Sequence, residues 1–78
     1  MGTWSVTEAR SWARERLANA GIDSVDADVR ELLEWACDVT SQLDLPAALD
    51  PEQADKLRAG VSERALRIPL QHVTGRMY

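Results

Sequence analysis

Several residue types and patterns are scarce or missing in this 78-residue chain, and each absence narrows what it can be. Phenylalanine is absent, so a core must be built mostly from Leu, Val and Ala, with three Trp as the bulky pieces. Cys37 is the only cysteine, which excludes an internal disulfide and gives no sign of an oxidising compartment. No apolar run approaches the ~20 residues that span a bilayer. We therefore expect a single cytoplasmic domain.

The chain also has few of the groups that carry chemistry. One His and one Cys cannot supply the thiolate and imidazole ligands of a zinc site, and no Gly-rich phosphate loop or dinucleotide fingerprint occurs. Cys37 is interpreted as a small buried or half-buried thiol rather than a nucleophile. His72 has no base or carboxylate nearby in the sequence, so it is interpreted as a packing or interface residue. We predict no catalytic, cofactor-binding or metal-binding residue in this chain.

Charge is plentiful but unevenly spread around the net value of −4. Residues 1–22 carry a net charge of +1, residues 23–55 carry −9, and residues 56–78 carry +4. One interpretation is that basic ends fold against an acidic middle. The other is that the acidic middle attracts a basic partner. Direct binding to nucleic acid is disfavoured in either case, because phosphates require a basic face.

Capping signals and apolar periodicity predict two helices in the first half of the chain. Ser5 and Glu8 fit a capping box, and Gly21 can end the helix in a Schellman motif. A second apolar stripe begins after Ser24, whose side chain, or that of Asp23, can cap the helix. The predicted spans are residues 5–20 and 24–38.

The second half predicts one long helix and two short ones. Asp50 is a cap, Pro51 suits the first helical position, and Gln53 completes a capping box. The helix should end before Pro69, because a residue that precedes proline avoids helical geometry. The predicted spans are 51–67 for the long helix, with short helices near 41–48 and 69–74 and Leu43, Leu45 and Leu49 as apolar anchors. No stretch alternates as a strand does, so the predicted fold class is all-α, a small bundle of three main helices.

Two kinds of position keep alternatives open. Gly60, inside the third helix, indicates either a close helix–helix approach or an ordinary exposed glycine. Trp12 and Trp35 flank the apolar stripes and are interpreted as core packing. Trp4 is either an apolar staple against Ala9 or an exposed contact residue.

Three stretches then resemble the N-terminal domain of the HemK/PrmC family. Arg64, a four-residue spacer and residues 69–75 (PLQHVTG) are similar to that family's Arg pair, spacer and Pro-Leu/Ile-x-Tyr/His-Ile/Leu/Val-x-Gly motif. Residues 26–34 (DADVRELLE) resemble its Asp-Ala-x-x-Leu-Leu helix, and residues 43–53 resemble its Leu-x-Leu turn and next helix start. Two departures stand out. Glu63 lies where the first Arg of the pair often lies, and Arg67-Ile68 replace the usual Gly-Glu before the proline.

The resemblance implies S-adenosylmethionine-dependent methyltransferases that modify the glutamine of the Gly-Gly-Gln motif in peptide chain release factors. It implies a helical N-terminal bundle joined by a short β-hairpin to a Rossmann-like catalytic domain, which holds the cofactor and an Asn-Pro-Pro-Tyr motif. On this basis residues 1–75 are the non-catalytic substrate-recognition domain, residues 76–78 begin the connector, and the fragment is expected to be inactive. The candidate interdomain residues of the family motif are Arg64, Pro69, Leu70, His72, Val73, Thr74 and Gly75.

The partners implied by the resemblance are peptide chain release factors and the chain's own catalytic domain, with no membrane and no direct nucleic-acid contact. Release factors work on ribosomal RNA and should have basic surface, so an acidic helix face is the candidate partner-facing surface. Its residues are Asp26, Asp28, Glu31 and Glu34. The alternatives are a stand-alone helical interaction or dimerisation module and a helix-turn-helix DNA binder. The DNA binder is disfavoured because its recognition helix, residues 24–38, would carry five acids and one Arg.

Overall fold

The computed structural model describes residues 4–75, and four α-helices account for most of them. The predicted fold class, an all-α bundle of three main helices, is confirmed. None of the helices in this described range is both long and apolar enough to cross a membrane. The helices are α1 (Val6–Asn19), α2 (Val25–Cys37), α3 (Pro51–Ala65) and α4 (Leu70–Thr74).

The predicted capping boxes start the first and third helices. Ahead of α1, the Glu8 amide donates to the Ser5 hydroxyl at 3.0 Å and the Ser5 amide donates to the Glu8 carboxylate at 3.3 Å. Ahead of α3, the Gln53 amide donates to Asp50 Oδ1 at 2.7 Å, and Gln53 Oε1 accepts from the Asp50 amide at 3.0 Å. Each box satisfies amides that the first helical turn leaves without partners.

The end of α1 agrees with the prediction, whereas the end of α3 does not. Gly21 is left-handed (φ 77°), and the Ile22 amide donates to the Leu17 carbonyl at 3.1 Å, as a Schellman motif requires. The end of α3 comes at Ala65, two residues before the predicted Arg67. Arg67 itself is left-handed (φ 67°) and therefore stands outside the helix.

The connection between α2 and α3 is less helical than predicted for residues 41–48. A single 3-10 turn covers Gln42–Asp44, and the chain then extends because Leu45 adopts β geometry before Pro46. Leu49 is buried as predicted, but Leu43 is 95% exposed, so its prediction as an anchor was wrong.

A two-stranded antiparallel sheet closes this connection onto the start of the chain, and no sequence signal predicted it. Strand β1 (Trp4–Ser5) pairs with β2 (Ala48–Leu49), with Trp4 opposite Leu49 and Ser5 opposite Ala48. Trp4 is half-buried, and its ring stands edge-on to Trp12 at 5.4 Å between centroids.

The core lies where α1, α2 and α3 meet, and α2 and α3 approach closely at Gly60. A Cβ at Gly60 would lie 2.5 Å from the Trp35 ring and 3.1 Å from Leu32, so the close-approach interpretation is confirmed. Trp12 and Trp35 pack half-buried against the core, as predicted. The fully buried large side chains are Leu17, Val29, Leu32, Leu33, Leu49, Leu57 and Val61.

Candidate functional site

Arg64 lies at the corner where α2, α3 and the entry to α4 meet. Its Nε donates to Asp28 Oδ2 at 2.7 Å, and its Nη1 donates to the Ile68 carbonyl at 3.3 Å. Only 19% of the Arg64 side chain and 7% of the Asp28 side chain are exposed. One guanidinium therefore ties α3 to α2 and to the turn that precedes α4, and it joins two of the stretches that carry the family resemblance.

The acidic face predicted on α2 is wrong at Asp28. This carboxylate is buried against Arg64 and cannot reach a partner. Asp26 is exposed but pairs with Arg14 at 3.1 Å, and Glu34 accepts from Gln42 at 2.6 Å. A partner-facing role for Asp26, Glu31 and Glu34 stays a prediction. The contacts with Arg14 and Arg64 confirm instead that the basic ends fold against the acidic middle.

Helix α4 carries the remaining residues of the predicted interdomain motif. Pro69 is its N-cap, Leu70 is half-buried, and Val73 and Thr74 are buried. The Thr74 hydroxyl donates to the Leu70 carbonyl at 3.2 Å. Gly75 ends the helix in the left-handed conformation (φ 70°), which glycine adopts without steric cost. The connector predicted at residues 76–78 lies outside the described residues.

His72 is exposed on α4, so the packing interpretation of this residue is wrong and the interface interpretation is the one that its position permits. At the start of α4 an open groove of about 480 Å³ is lined by Arg64, Arg67, Pro69, Leu70 and Gln71. Leu66, at the end of α3, is 77% exposed. This corner offers a contact surface with apolar and basic groups.

The only thiol of the chain is poorly placed for nucleophilic chemistry. Burial, and after it the carboxylate of Asp50, raises the pKa of the Cys37 thiol above its ordinary value of 9.0, while Lys56 acts in the opposite direction. A raised pKa keeps the thiol protonated near neutral pH. Among residues 4–75, no group of three or more His, Cys, Asp and Glu side chains is placed to hold a metal ion.

Comparison with protein families identifies the arrangement. The family described as PrmC N-terminal domain matches residues 8–75. The chain belongs to the PrmC N-terminal domain family. Two relatives, from Caulobacter vibrioides and Cereibacter sphaeroides, are both named release factor glutamine methyltransferase. The first is 36% identical over 77 residues, covering 92% of this chain and 27% of that protein. The second is 40% identical over 63 residues, covering 77% of this chain and 23% of that protein.

The chain thus spans about a quarter of the length of these curated relatives. No solved structure matches it.

The PrmC N-terminal domain likeness makes Arg67 informative, because the family usually has glycine there. Arg67 follows α3 in the left-handed conformation, with its amide donating to the Arg64 carbonyl at 2.8 Å. This is the position of a Schellman motif that favours glycine. The Arg67 side chain offsets the cost of that conformation by donating from Nη2 to the Ala20 carbonyl at 3.2 Å, at the end of α1.

Sequence reasoning missed the role of Asp28, although a signal for it was present. Asp28 lies three residues after Val25 and four before Leu32, which places it on the apolar stripe of α2. An acid on such a stripe must find a partner when it is buried. Arg64, on the facing helix, is the basic residue that can supply this partner.

Proposed function

We propose that this chain is the non-catalytic N-terminal domain of a parent S-adenosylmethionine-dependent methyltransferase that methylates the glutamine of the Gly-Gly-Gln motif in peptide chain release factors. In this proposal the domain helps to bind and position the release factor, in the cytoplasm. The observation that carries it is the family match over residues 8–75, together with the names of the two relatives.

The cofactor of the parent would be held by residues outside this domain. A nucleoside cofactor is usually bound at the carboxyl ends of parallel strands, beside a Gly-rich turn into a helix. The strands in residues 4–75 form one antiparallel pair of two residues each, so no residue of the domain is assigned to S-adenosylmethionine. Methyl transfer would use the cofactor's activated methyl group, and this domain would contribute binding alone.

A recognition domain has a clear physical use in such an enzyme. A single glutamine side chain on a loop offers little contact area to a catalytic site. Contacts made elsewhere by a second domain raise the effective concentration of that glutamine without adding any chemical step. The expected signature is a change in KM for the whole protein substrate rather than in the chemistry on a short peptide.

The corner around Arg64 is proposed as the side that faces the rest of the parent enzyme. Arg64 fixes the turn before α4, and Val73 and Thr74 anchor α4 in the bundle. The groove beside α4 and the exposed Leu66 leave apolar surface there for a second domain to cover. His72 is proposed to contribute to the same interdomain contact.

The test compares two substrates of the parent enzyme, an intact release factor and a short peptide that contains Gly-Gly-Gln. Deleting residues 1–75 should raise KM for the release factor by ~10-fold or more. The kcat/KM for the peptide should stay unchanged, and this also serves as the control that the catalytic domain remains folded. Equal KM values for the release factor with and without the domain would contradict the recognition role. Loss of activity on the peptide as well, in a deletion variant that circular dichroism shows to be folded, would assign the domain to catalysis instead.

A further inference from the structure

A second groove opens between α1 and α2, and its lining shares no residue with the groove at the start of α4. It has a volume of about 500 Å³, and its lining holds three guanidinium groups and one carboxylate, although the whole chain carries a net charge of −4. The groove is therefore locally basic, although the chain as a whole is acidic. Its lining residues are Arg10, Arg14, Asp26, Val29, Arg30 and Gln42.

The three arginines of the groove have donor capacity to spare. Arg14 is held by Asp26 at 3.1 Å. Arg10 donates from Nη2 to Gln42 Oε1 at 3.1 Å. Arg30 is exposed and lines the groove. A guanidinium offers five N–H donors, so an incoming carboxylate would find free ones here.

Gln42 connects this groove to the exposed Leu43. Besides accepting from Arg10, the Gln42 amide donates to Glu34 at 2.6 Å and to the Arg30 carbonyl at 3.2 Å. The next residue is Leu43, whose amide donates to the Ser41 hydroxyl at 3.1 Å and whose side chain is 95% exposed. The turn thus holds the backbone of an exposed leucine that directly follows a residue of the groove.

We propose that the arginine groove and Leu43 together bind a protein segment that carries acidic side chains next to an aliphatic one. Guanidinium groups recognise carboxylates through paired hydrogen bonds, and Leu43 supplies the apolar contact that a polyanion alone would not use. This surface is additional to the proposed recognition role and does not depend on it. Its partner is opposite in sign to the basic partner predicted for the acidic face of α2, so one experiment separates the two.

The experiment titrates the ¹⁵N-labelled chain with peptides of about eight residues and follows amide chemical shifts. A peptide of alternating Glu and Leu should shift Arg10, Arg14, Arg30 and Leu43. A Glu/Ser peptide of the same charge should bind about fivefold more weakly, because it lacks the apolar contact. A Lys/Leu peptide should produce no shifts in the groove. Shifts caused by Lys/Leu alone, equal binding of the two Glu peptides, or no binding by the Glu/Leu peptide would each overturn the proposal.

Matched variants test the two halves of the surface. Arg30→Glu should weaken Glu/Leu binding about tenfold, whereas Arg16→Glu makes the same charge change on an exposed site of α1 outside the groove and should have little effect. Leu43→Ser should remove the preference for Glu/Leu over Glu/Ser, whereas Leu66→Ser should retain it. Equal effects of the paired variants would show that binding depends only on net charge or on nonspecific hydrophobic contact, and would overturn the proposal. Concentration-dependent shifts at the groove without peptide would identify a second copy of the chain as the occupant and also overturn it.

Discussion

Two ion pairs start from neighbouring carboxylates in the first turn of α2, and they share chemistry but not environment. Asp28 meets Arg64 of α3 at 2.7 Å, with 7% and 19% of the two side chains exposed. Asp26 meets Arg14 of α1 at 3.1 Å, with 77% and 56% exposed. Both pairs join an acidic segment to a basic one. The first pair is locked inside the bundle, and the second stands at the edge of an open groove.

Burial distinguishes the charged residues that hold the fold together from those that a partner could contact, and it does so more clearly than residue type does. A buried pair has lost its hydration, so each partner depends on the other. In an exposed pair, water competes with each partner for the other, so the pair contributes little to stability. Arg64 and the Asp-Ala-x-x-Leu-Leu stretch carry part of the resemblance to the family. Their presence is explained in part by the ion pair that they form inside the fold. The surface that a partner could reach lies in the two grooves, which Arg64 and Asp26 each help to line.

The largest effect is expected from a substitution that breaks the buried ion pair between Asp28 and Arg64. Asp28→Ala leaves the Arg64 guanidinium largely buried without its carboxylate, and we expect it to lower the free energy of unfolding by about 3–5 kcal/mol. Asp26→Ala is the matched control on the same helical turn, and its cost should stay below about 1 kcal/mol. Urea denaturation followed by tryptophan fluorescence measures both. Similar losses for the two variants would show that the comparison is wrong.

The second prediction addresses the packing that surrounds the buried pair. Gly60→Ala would place a methyl group 2.5 Å from the Trp35 ring, so we expect a net loss of about 1–2 kcal/mol despite the better helix propensity of Ala. The control is the same substitution in a Trp35→Leu background, where the ring is gone and the cost should shrink. A stabilising effect of Gly60→Ala in the native background would mean that α2 and α3 have room to separate.

The elements nearest to these contacts were also the most predictable from the sequence. Capping residues and apolar stripes act within one helical turn, so α1, α2 and α3 followed directly from local spacing. The strand pair did not, because two residues per strand are too few to show alternation. Leu43 was misjudged because nothing local indicates whether a leucine in a short turn faces inward. The burial of Asp28 depends on Arg64, which lies 36 residues away, and such pairing is decided by packing.

The third prediction concerns the departure from the family at Arg67, beside the buried corner. Arg67→Ala keeps the left-handed backbone and loses the hydrogen bond to Ala20, whereas Arg67→Gly loses the same bond but relieves the backbone. We therefore expect Arg67→Gly to be more stable than Arg67→Ala by about 1 kcal/mol. Thermal or urea unfolding of the two variants measures the difference. Equal stability would show that the conformation at residue 67 carries no cost.

The smallest expected effect is a pH dependence at Cys37, on the side of α2 that faces Asp50 and Lys56. Because the folded state raises the pKa of this thiol, the folded chain holds the proton more tightly than the unfolded chain does. The resulting stability is fully present below the unfolded pKa near 9.0 and is lost as pH rises through the folded pKa. We expect the native chain to lose more stability above pH 9.0 than Cys37→Ala does, in urea unfolding at a series of pH values. Parallel pH curves for the two proteins would contradict a raised pKa.

The short pairing of β1 with β2 has a consequence for the order of folding. It joins residues 4 and 5 to residues 48 and 49, so its formation closes a loop that contains both α1 and α2. Closing such a loop costs chain entropy, and two residues per strand return little of it. The pairing should therefore form after the helices have packed, on the native side of the folding barrier. Weakening it would then speed unfolding while leaving the rate of refolding nearly unchanged.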